Sequence, residues 1–324
     1  MTELSFQYML EVNDQPDHAN QFASLIFDGH CQFTAENKGF STGLELLSPS
    51  YCYEQIYSSS PIIKTATDKL VTAHSDHFLW AISWVDESAF SNLVEATEFV
   101  YSQLLNLVAD AGFPYLVRVW NYFERINQEE AGLERYKQFC IGRFNAFRLS
   151  GLDEESFPAA CALGHSGGQL VVYLLAAKTR PIHFENPNQQ SAYFYPSVYG
   201  PRSPSFARAS AVAIDDAHSL VFVSGTASVT GHKTVHSYDV ENQLIVTFNN
   251  LDALEQQIQH LLDYPCSLTP RLLKVYIRHA TDLDQIKHAV EQRYPEVSAV
   301  YLKADICRAD LMLEIDGIWS LLRT

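Results

Sequence analysis

The sequence predicts an α+β protein made of related units in one chain, with a β-rich unit at the N-terminus. Three observations lead there. A strand, helix, strand, helix, strand series occurs twice, over about residues 77–179 and 211–319. The first 75 or so residues show short apolar runs between turn residues and little helical periodicity. A segment rich in Pro, Ser, Tyr and Arg, residues 186–209, separates the two series. The units are therefore expected at residues 1–75, 76–190 and 191–324. No G-x-G-x-x-G motif follows a strand, which argues against a two-domain dinucleotide-binding enzyme.

Each element has its own reason. LSFQYMLEV, ASLIFDG and GFSTGLELL read as short strands bounded by turn residues. HFLWAISWV continues in that style, and then the period changes. SNLVEATEFVYSQLLNLVADAG carries apolar residues at helical spacing and stops at Gly112 before Pro114. YLVRVWNYF is a strand, LERYKQFCIGRFNAF a helix and GQLVVYLLAAK a strand. The second series repeats the order. HSLVFVSGTASV is a strand, LDALEQQIQHLLDY a helix and RLLKVYIRH a strand. DLDQIKHAVEQRY is a helix with Asp282 as N-cap. SAVYLKADI and LMLEIDGIW are the closing strands.

The chain has 324 residues, enough for two or three domains, and 47% are apolar, enough for a sizeable core. No apolar run reaches the length of a membrane span. The first residues carry neither the basic nor the apolar region of a signal peptide, so a cytoplasmic protein is expected. The six cysteines are scattered, which fits buried thiols. His74 and His77 lie three residues apart, and without a third ligand nearby no metal site is expected. The net charge of −16 argues against nucleic acid and anionic membranes as partners. The charge is uneven as well. Residues 1–117 hold three lysines, no arginine and 15 acids, so all 13 arginines follow residue 117. Arginine suits carboxylate and phosphate best, so a small-anion site is expected in that later part.

Several motifs bear on chemistry. Gly164-His165-Ser166-Gly167-Gly168 matches the nucleophile elbow, but a strand follows where that motif needs a helix, so it reads as a glycine turn. Ser224-Gly225-Thr226-Ala227-Ser228 leaves a strand with small residues, which lets a backbone approach a bound anion. In the junction, Tyr199 offers a phenol, and Arg202 and Arg208 offer bidentate donors on a proline-stiffened loop. The helix over 133–147 adds Tyr136 and Arg143, the latter after Gly142. The strongest chemistry lies at 306–317. On an unbroken strand Glu314 shares a face with Met312 and Asp316, and Arg308 falls at the same parity. A carboxyl among apolar walls with a second acid beside it has a raised pKa, which suits a general acid.

The segments RVWNYFERIN, LERYKQFCIGR, YGPRSPSFARA, SGTASVTGH and ADICRADLMLEIDG, in that order over roughly residues 70–320, together resemble the chorismatase family. The resemblance implies three YjgF/RidA-like units in pseudo-threefold arrangement, the first of them degenerate. It implies an active site between the central and C-terminal units and no cofactor. It implies chorismate as the small-molecule substrate and pyruvate as a product. The family's catalytic glutamate matches Glu314. Arg143, Arg202 and Arg308 are then expected to hold the substrate's carboxylates, with Tyr199, Thr226, Ala227 and Cys307 completing the pocket.

On this resemblance Glu314 protonates the enol ether methylene of chorismate. Attack by the ring C4 hydroxyl then leads to 3-hydroxybenzoate, with 4-hydroxybenzoate as a further product in some relatives. Attack by water leads instead to a dihydroxycyclohexadiene carboxylate. Cys307 resembles the hydroxybenzoate formers, whereas Ala227 does not separate the two outcomes. A further alternative is an imine hydrolase or small-carboxylate-binding protein of the YjgF/RidA type. A chain holding three such units is expected to be a monomer.

Overall fold

The computed structural model describes residues 4–9, 20–34 and 39–324, with residues 32–34 described by backbone alone. The expected strand stretch LSFQYMLEV therefore lies partly outside the described residues. Three sheets share one interior. The first holds β1 (Leu4–Met9), β2 (Gln21–Ile26), β3 (Cys31–Thr34), β4 (Gly39–Thr42) and β6 (Tyr53–Ser58), in the order β3-β4-β2-β6-β1. Between its last two strands the chain forms β5 (Glu45–Ser48), which joins another sheet.

The central unit contributes β7 (Ile63–Ala66), β8 (Leu70–His74), β9 (Phe78–Asp86), helix α1 (Leu93–Asp110), β10 (Tyr115–Glu124), helix α2 (Arg135–Leu149), β11 (Ala159–His165) and β12 (Gln169–Ala177). The C-terminal unit contributes β13 (Ile182–Phe184), β14 (Ala209–Ala213), β15 (His218–Thr226), helix α3 (Val240–Leu261), β16 (Cys266–Ile277), helix α4 (Leu283–Arg293), β17 (Ser298–Lys303), β18 (Asp305–Ile306) and β19 (Leu313–Arg323).

The duplication is visible in the sheet orders. The central sheet runs β18-β11-β10-β12-β9-β8-β7 and the C-terminal sheet β5-β17-β16-β19-β15-β14-β13. Position by position these are the same unit. In each, one parallel pair joins the strands that flank the second helix, and the other pairings are antiparallel. Each sheet also takes an edge strand from a different unit. The first sheet repeats four of these positions, β4-β2-β6-β1, with β2 and β4 again parallel. It has no α-helix among its described residues. It is the same unit reduced to its sheet.

Sheet membership does not follow a boundary at residue 75. β7 and β8 extend the central sheet, β5 extends the C-terminal one, and β13 belongs to the C-terminal sheet although it precedes residue 190. Hydrogen bonding across units puts these edges where sequence order alone does not.

Side-chain alternation explains the layers. On β19, Leu313, Ile315, Trp319 and Leu321 pack under α3 and α4, while Ile318 enters the core shared by all three sheets. Glu314 and Asp316 point to that same inner side. Helix α1 starts at Asn92, whose side chain accepts from the Glu95 amide, and the chain leaves it at Gly112 with φ +78°.

β11 was not expected as a strand, and three of the expected elements differ in detail. Helix α3 begins at Val240, eleven residues before the expected 251, because Asp239 caps it by accepting from the Asn242 amide. Asp282 occupies the N-cap position of α4 without a side-chain cap bond. The strand expected over 298–306 breaks at Ala304, and its last two residues cross to pair with β11 of the central sheet. No helix among the described residues is long and apolar enough to cross a membrane.

Candidate active site

Glu314 sits at the start of β19, 4% exposed. The pairing of β15 with β19 shifts register between Val223 and Thr226, a bulge that opens the sheet beside the carboxyl. Gly225 lies in that bulge. A Cβ there would fall 1.8 Å from Glu314 Oε1, so the residue has no side chain because the acid occupies its space. Among the described residues the Glu314 carboxyl has no hydrogen-bond or ion-pair partner. Burial, with the Asp316 charge beside it, pushes its pKa up to about 8 against the opposing pull of Arg118 and Arg208. It is a neutral acid at pH 7.

Arg308 does not share a strand face with Glu314. It stands on the turn before β19, and that turn is pinned from two sides. Arg278 donates to the Leu311, Ile306 and Arg308 carbonyls at 2.7–3.1 Å and to Asp305 Oδ1 at 2.7 Å. Gln243 of α3 donates to the Asp310 carbonyl at 2.8 Å and accepts from the Met312 amide at 2.8 Å. The turn thus aims Arg308 across the mouth of the site, its guanidinium 4.4 Å from the Tyr199 ring and 5.4 Å from Tyr195. Its Nη1 donates to Thr234 Oγ1 at 3.2 Å.

The junction segment supplies the facing wall. Arg208 is 5% exposed and donates through Nη2 to the Gln190 carbonyl and to the Tyr195 hydroxyl, both at 2.9 Å. Its Nε is buried with no partner among the described residues. Tyr199 bonds to His232 Nδ1 at 3.1 Å. Together these groups enclose a cavity of about 670 Å³. Glu134, Tyr136 and Lys137 line it from the central unit, and Ala227, Lys233, Cys307 and Leu311 from the C-terminal one. Burial and the nearby Glu314 push the Cys307 thiol up to about 12, so it is an uncharged wall.

Of the residues expected from sequence, Glu314, Tyr199, Ala227, Cys307 and Arg308 all line this cavity. Three do not. Arg202 is exposed and stacks 4.2 Å from the Phe144 ring. Thr226 turns its hydroxyl onto the Ser224 carbonyl at 2.9 Å, because the bulge sends it to the opposite side of β15 from Gly225 and Ala227. Arg143 is buried in α2 behind Tyr136, its guanidinium 5.0 Å from the Phe139 ring. Its Nε and Nη2 lack hydrogen-bond partners among the described residues. Sequence reading left Gly225, Tyr195 and His232 unassigned. A glycine ending a strand among hydroxyl residues was the one signal for Gly225.

Comparison with known proteins finds relatives over most of the chain. Residues 54–176 match the family model described as "Chorismatase FkbO/Hyg5-like, N-terminal". A protein of Streptomyces hygroscopicus named 3-hydroxybenzoate synthase is 36% identical over 261 residues, 78% of this chain and 76% of its own. A chorismatase of Streptomyces rapamycinicus is 34% identical over 275 residues, 82% and 81% of the two chains. A crystal structure of a chorismatase superposes with TM-score 0.86 over 98% of both chains at 29% identity.

Proposed function

The chain belongs to the chorismatase family, and we propose that it converts chorismate to 3-hydroxybenzoate and pyruvate. The observation that carries this reading is the buried Glu314 carboxyl, which faces a cavity lined by Arg208 and Arg308. Chorismate brings two carboxylates and an enol ether, and each meets its complement. Arg308 and Arg208 bind the carboxylates, with Tyr199 donating beside them, and so fix the ring. Glu314 gives its proton to the terminal methylene, which becomes the methyl group of pyruvate. The carbon that bore the ether oxygen becomes cationic, and the Glu314 carboxylate left behind stabilises it.

The ring C4 hydroxyl then attacks C3 and gives its proton to Glu314; the C3–O ether bond breaks, so pyruvate leaves with that electron pair and keeps the ether oxygen as its ketone oxygen. The C4–O bond of the bridging oxygen then opens, C3 loses its proton to water, the oxygen left on C3 takes one up, and the ring is aromatic. Atoms balance without an oxidant: chorismate equals hydroxybenzoate plus pyruvate. The uncharged walls at Cys307 and Leu311 favour this route over attack by water. The name of the Streptomyces hygroscopicus relative supports the same product. Arg143 backs the Tyr136 wall and adds positive potential to the carboxylate end. Arg202 lies outside the cavity and takes no part in this reading.

Chromatography of a chorismate incubation tests it. The expected result is 3-hydroxybenzoate and pyruvate in equal amounts, well above the spontaneous background. Absence of both overturns the proposal. Oxygen-18 water separates the routes. Label in rapidly trapped pyruvate indicates hydrolysis, and unlabelled pyruvate indicates attack by the ring hydroxyl.

A further inference from the structure

Beneath Glu314 lies a side-chain network that the reaction above does not use. Asp316 Oδ2 accepts from Arg118 Nη2 at 2.5 Å and from the Tyr276 hydroxyl at 3.0 Å. Tyr276 meets Tyr122 at 3.1 Å, and Tyr122 meets Tyr173 at 3.1 Å. Lys274 Nζ donates to the Tyr173 hydroxyl at 3.1 Å and pairs with Glu54 Oε2 at 2.7 Å. All seven residues are at most 2% exposed. They come from all three units: Glu54 from β6, Arg118, Tyr122 and Tyr173 from the central sheet, and Lys274, Tyr276 and Asp316 from the C-terminal sheet.

The direction of every bond is fixed by its ends. An ammonium only donates and a carboxylate only accepts. The hydroxyls therefore point one way, Lys274 to Tyr173 to Tyr122 to Tyr276 to Asp316. The charges also close. Arg118 balances Asp316, and Lys274 and Glu54 form a neutral pair wherever their shared proton sits. Glu314, two residues from Asp316 on the same face, has no such counter-ion. Around it stand Arg208 across the cavity, the Arg308 turn and the uncharged thiols of Cys161 and Cys307, and the cavity wall adds Glu134, Lys137, His232, Lys233 and Asp310.

We propose that this network is a positioning device for the acid, and that through Glu54 the N-terminal unit takes part in the reaction without touching the cavity. Its charges sum to zero, so no cation is left over for the Glu314 carboxyl, which keeps its proton until substrate takes it. Removing one charge at a time unbalances the network in a direction that depends on which charge is lost. A positive residue sum draws the proton off Glu314, and a negative sum holds it more tightly. The inference rests on the reading of Glu314 as the proton donor and explains what keeps it one.

The test is the alkaline limb of kcat/KM for chorismate, measured on variants with native near-ultraviolet circular dichroism. Asp316→Asn should move the limb to lower pH, by roughly one pH unit, for a like charge two residues away on the same strand face. Glu54→Gln should move it the same way and by less. Arg118→Gln should move it to higher pH. The double variant Glu54→Gln with Lys274→Met removes a neutral pair and should return the limb to its original place. Glu54→Gln and this double variant lie farthest from the cavity and decide the question if the Arg118 variant does not fold. Shifts of one sign in all variants, or lower rates with unmoved limbs, overturn the inference and reduce the network to a structural one. Turnover retained by Glu314→Gln would instead remove the acid itself.

Discussion

Glu314 and Gly225 are one unit at the scale of single residues. The strand carries the carboxyl inward, and the missing side chain opposite leaves it room. Gly225→Ala sets a methyl group 1.8 Å from Oε1, so the acid must leave its rotamer. The expected outcome is a kcat loss of about 10²-fold or more with a small change in KM, read by pyruvate release. The acid also costs stability. Its folded pKa of about 8 exceeds the ordinary 4.5, so the folded state keeps a proton that the unfolded chain gives up between those values. Stability from this group is full below about pH 4.5 and falls as pH rises through 8. Glu314→Gln, which never ionises, should therefore gain on the parent as pH rises, by a few kcal/mol at pH 8.5 at about 1.4 kcal/mol per pKa unit. Urea unfolding of both proteins at pH 5 and 8.5 measures this, and an equal difference at both pH values contradicts it. Glu314, Tyr199 and Arg308 were legible as cavity residues because their chemistry and their resemblance agreed, and Cys307 by the resemblance alone. Arg143 and Arg202 carry the same guanidinium but point elsewhere, and a residue type does not encode its direction.

At the scale of elements the site depends on one turn, residues 307–312, between β18 and β19. Two long side chains hold it from outside the cavity. Arg278 supplies two hydrogen bonds to the turn, at Arg308 and Leu311, and two to β18 just before it, and Gln243 supplies two, at Asp310 and Met312. Arg278→Ala should release the turn and with it Arg308. KM for chorismate should rise about tenfold or more while the thermal midpoint falls by a few degrees, for a loss of about 1–3 kcal/mol. An unchanged KM would detach the turn from substrate binding. Helices with strong apolar periodicity, such as α1, were readable from the sequence. β11 was not, because its run of Ala, Cys and Gly is buried throughout and shows no alternation. The break at Ala304 was hidden for another reason: β18 exists only because the central sheet offers it an edge.

At the scale of the whole molecule, the central and C-terminal units line the cavity and the first unit completes the shared core. Register shows why. Tyr122 on β10 pairs with Val171, and Tyr276 on β16 pairs with Glu314, so the central unit carries valine where the C-terminal unit carries its acid. The first unit has only its sheet among the described residues and serves the shared core. A chain that already holds three units needs no partner copy to complete the array, so light scattering should give one mass near 36.6 kDa. A trimer would contradict that reading. The twofold series and the β-rich start were visible as periodicity. The exchange of edge strands was not, since it is decided by which sheet stands alongside. The charge pattern also gains a local meaning: a chain of net −16 that takes a dicarboxylate brings Arg208 and Arg308 to one cavity. The measurement that tests the account most directly is pyruvate release from chorismate by the parent and Glu314→Gln at pH 7. The account predicts clear release by the parent and a rate lower by about 10²–10⁴-fold in the variant, with its fold unchanged. Equal release by both would contradict it.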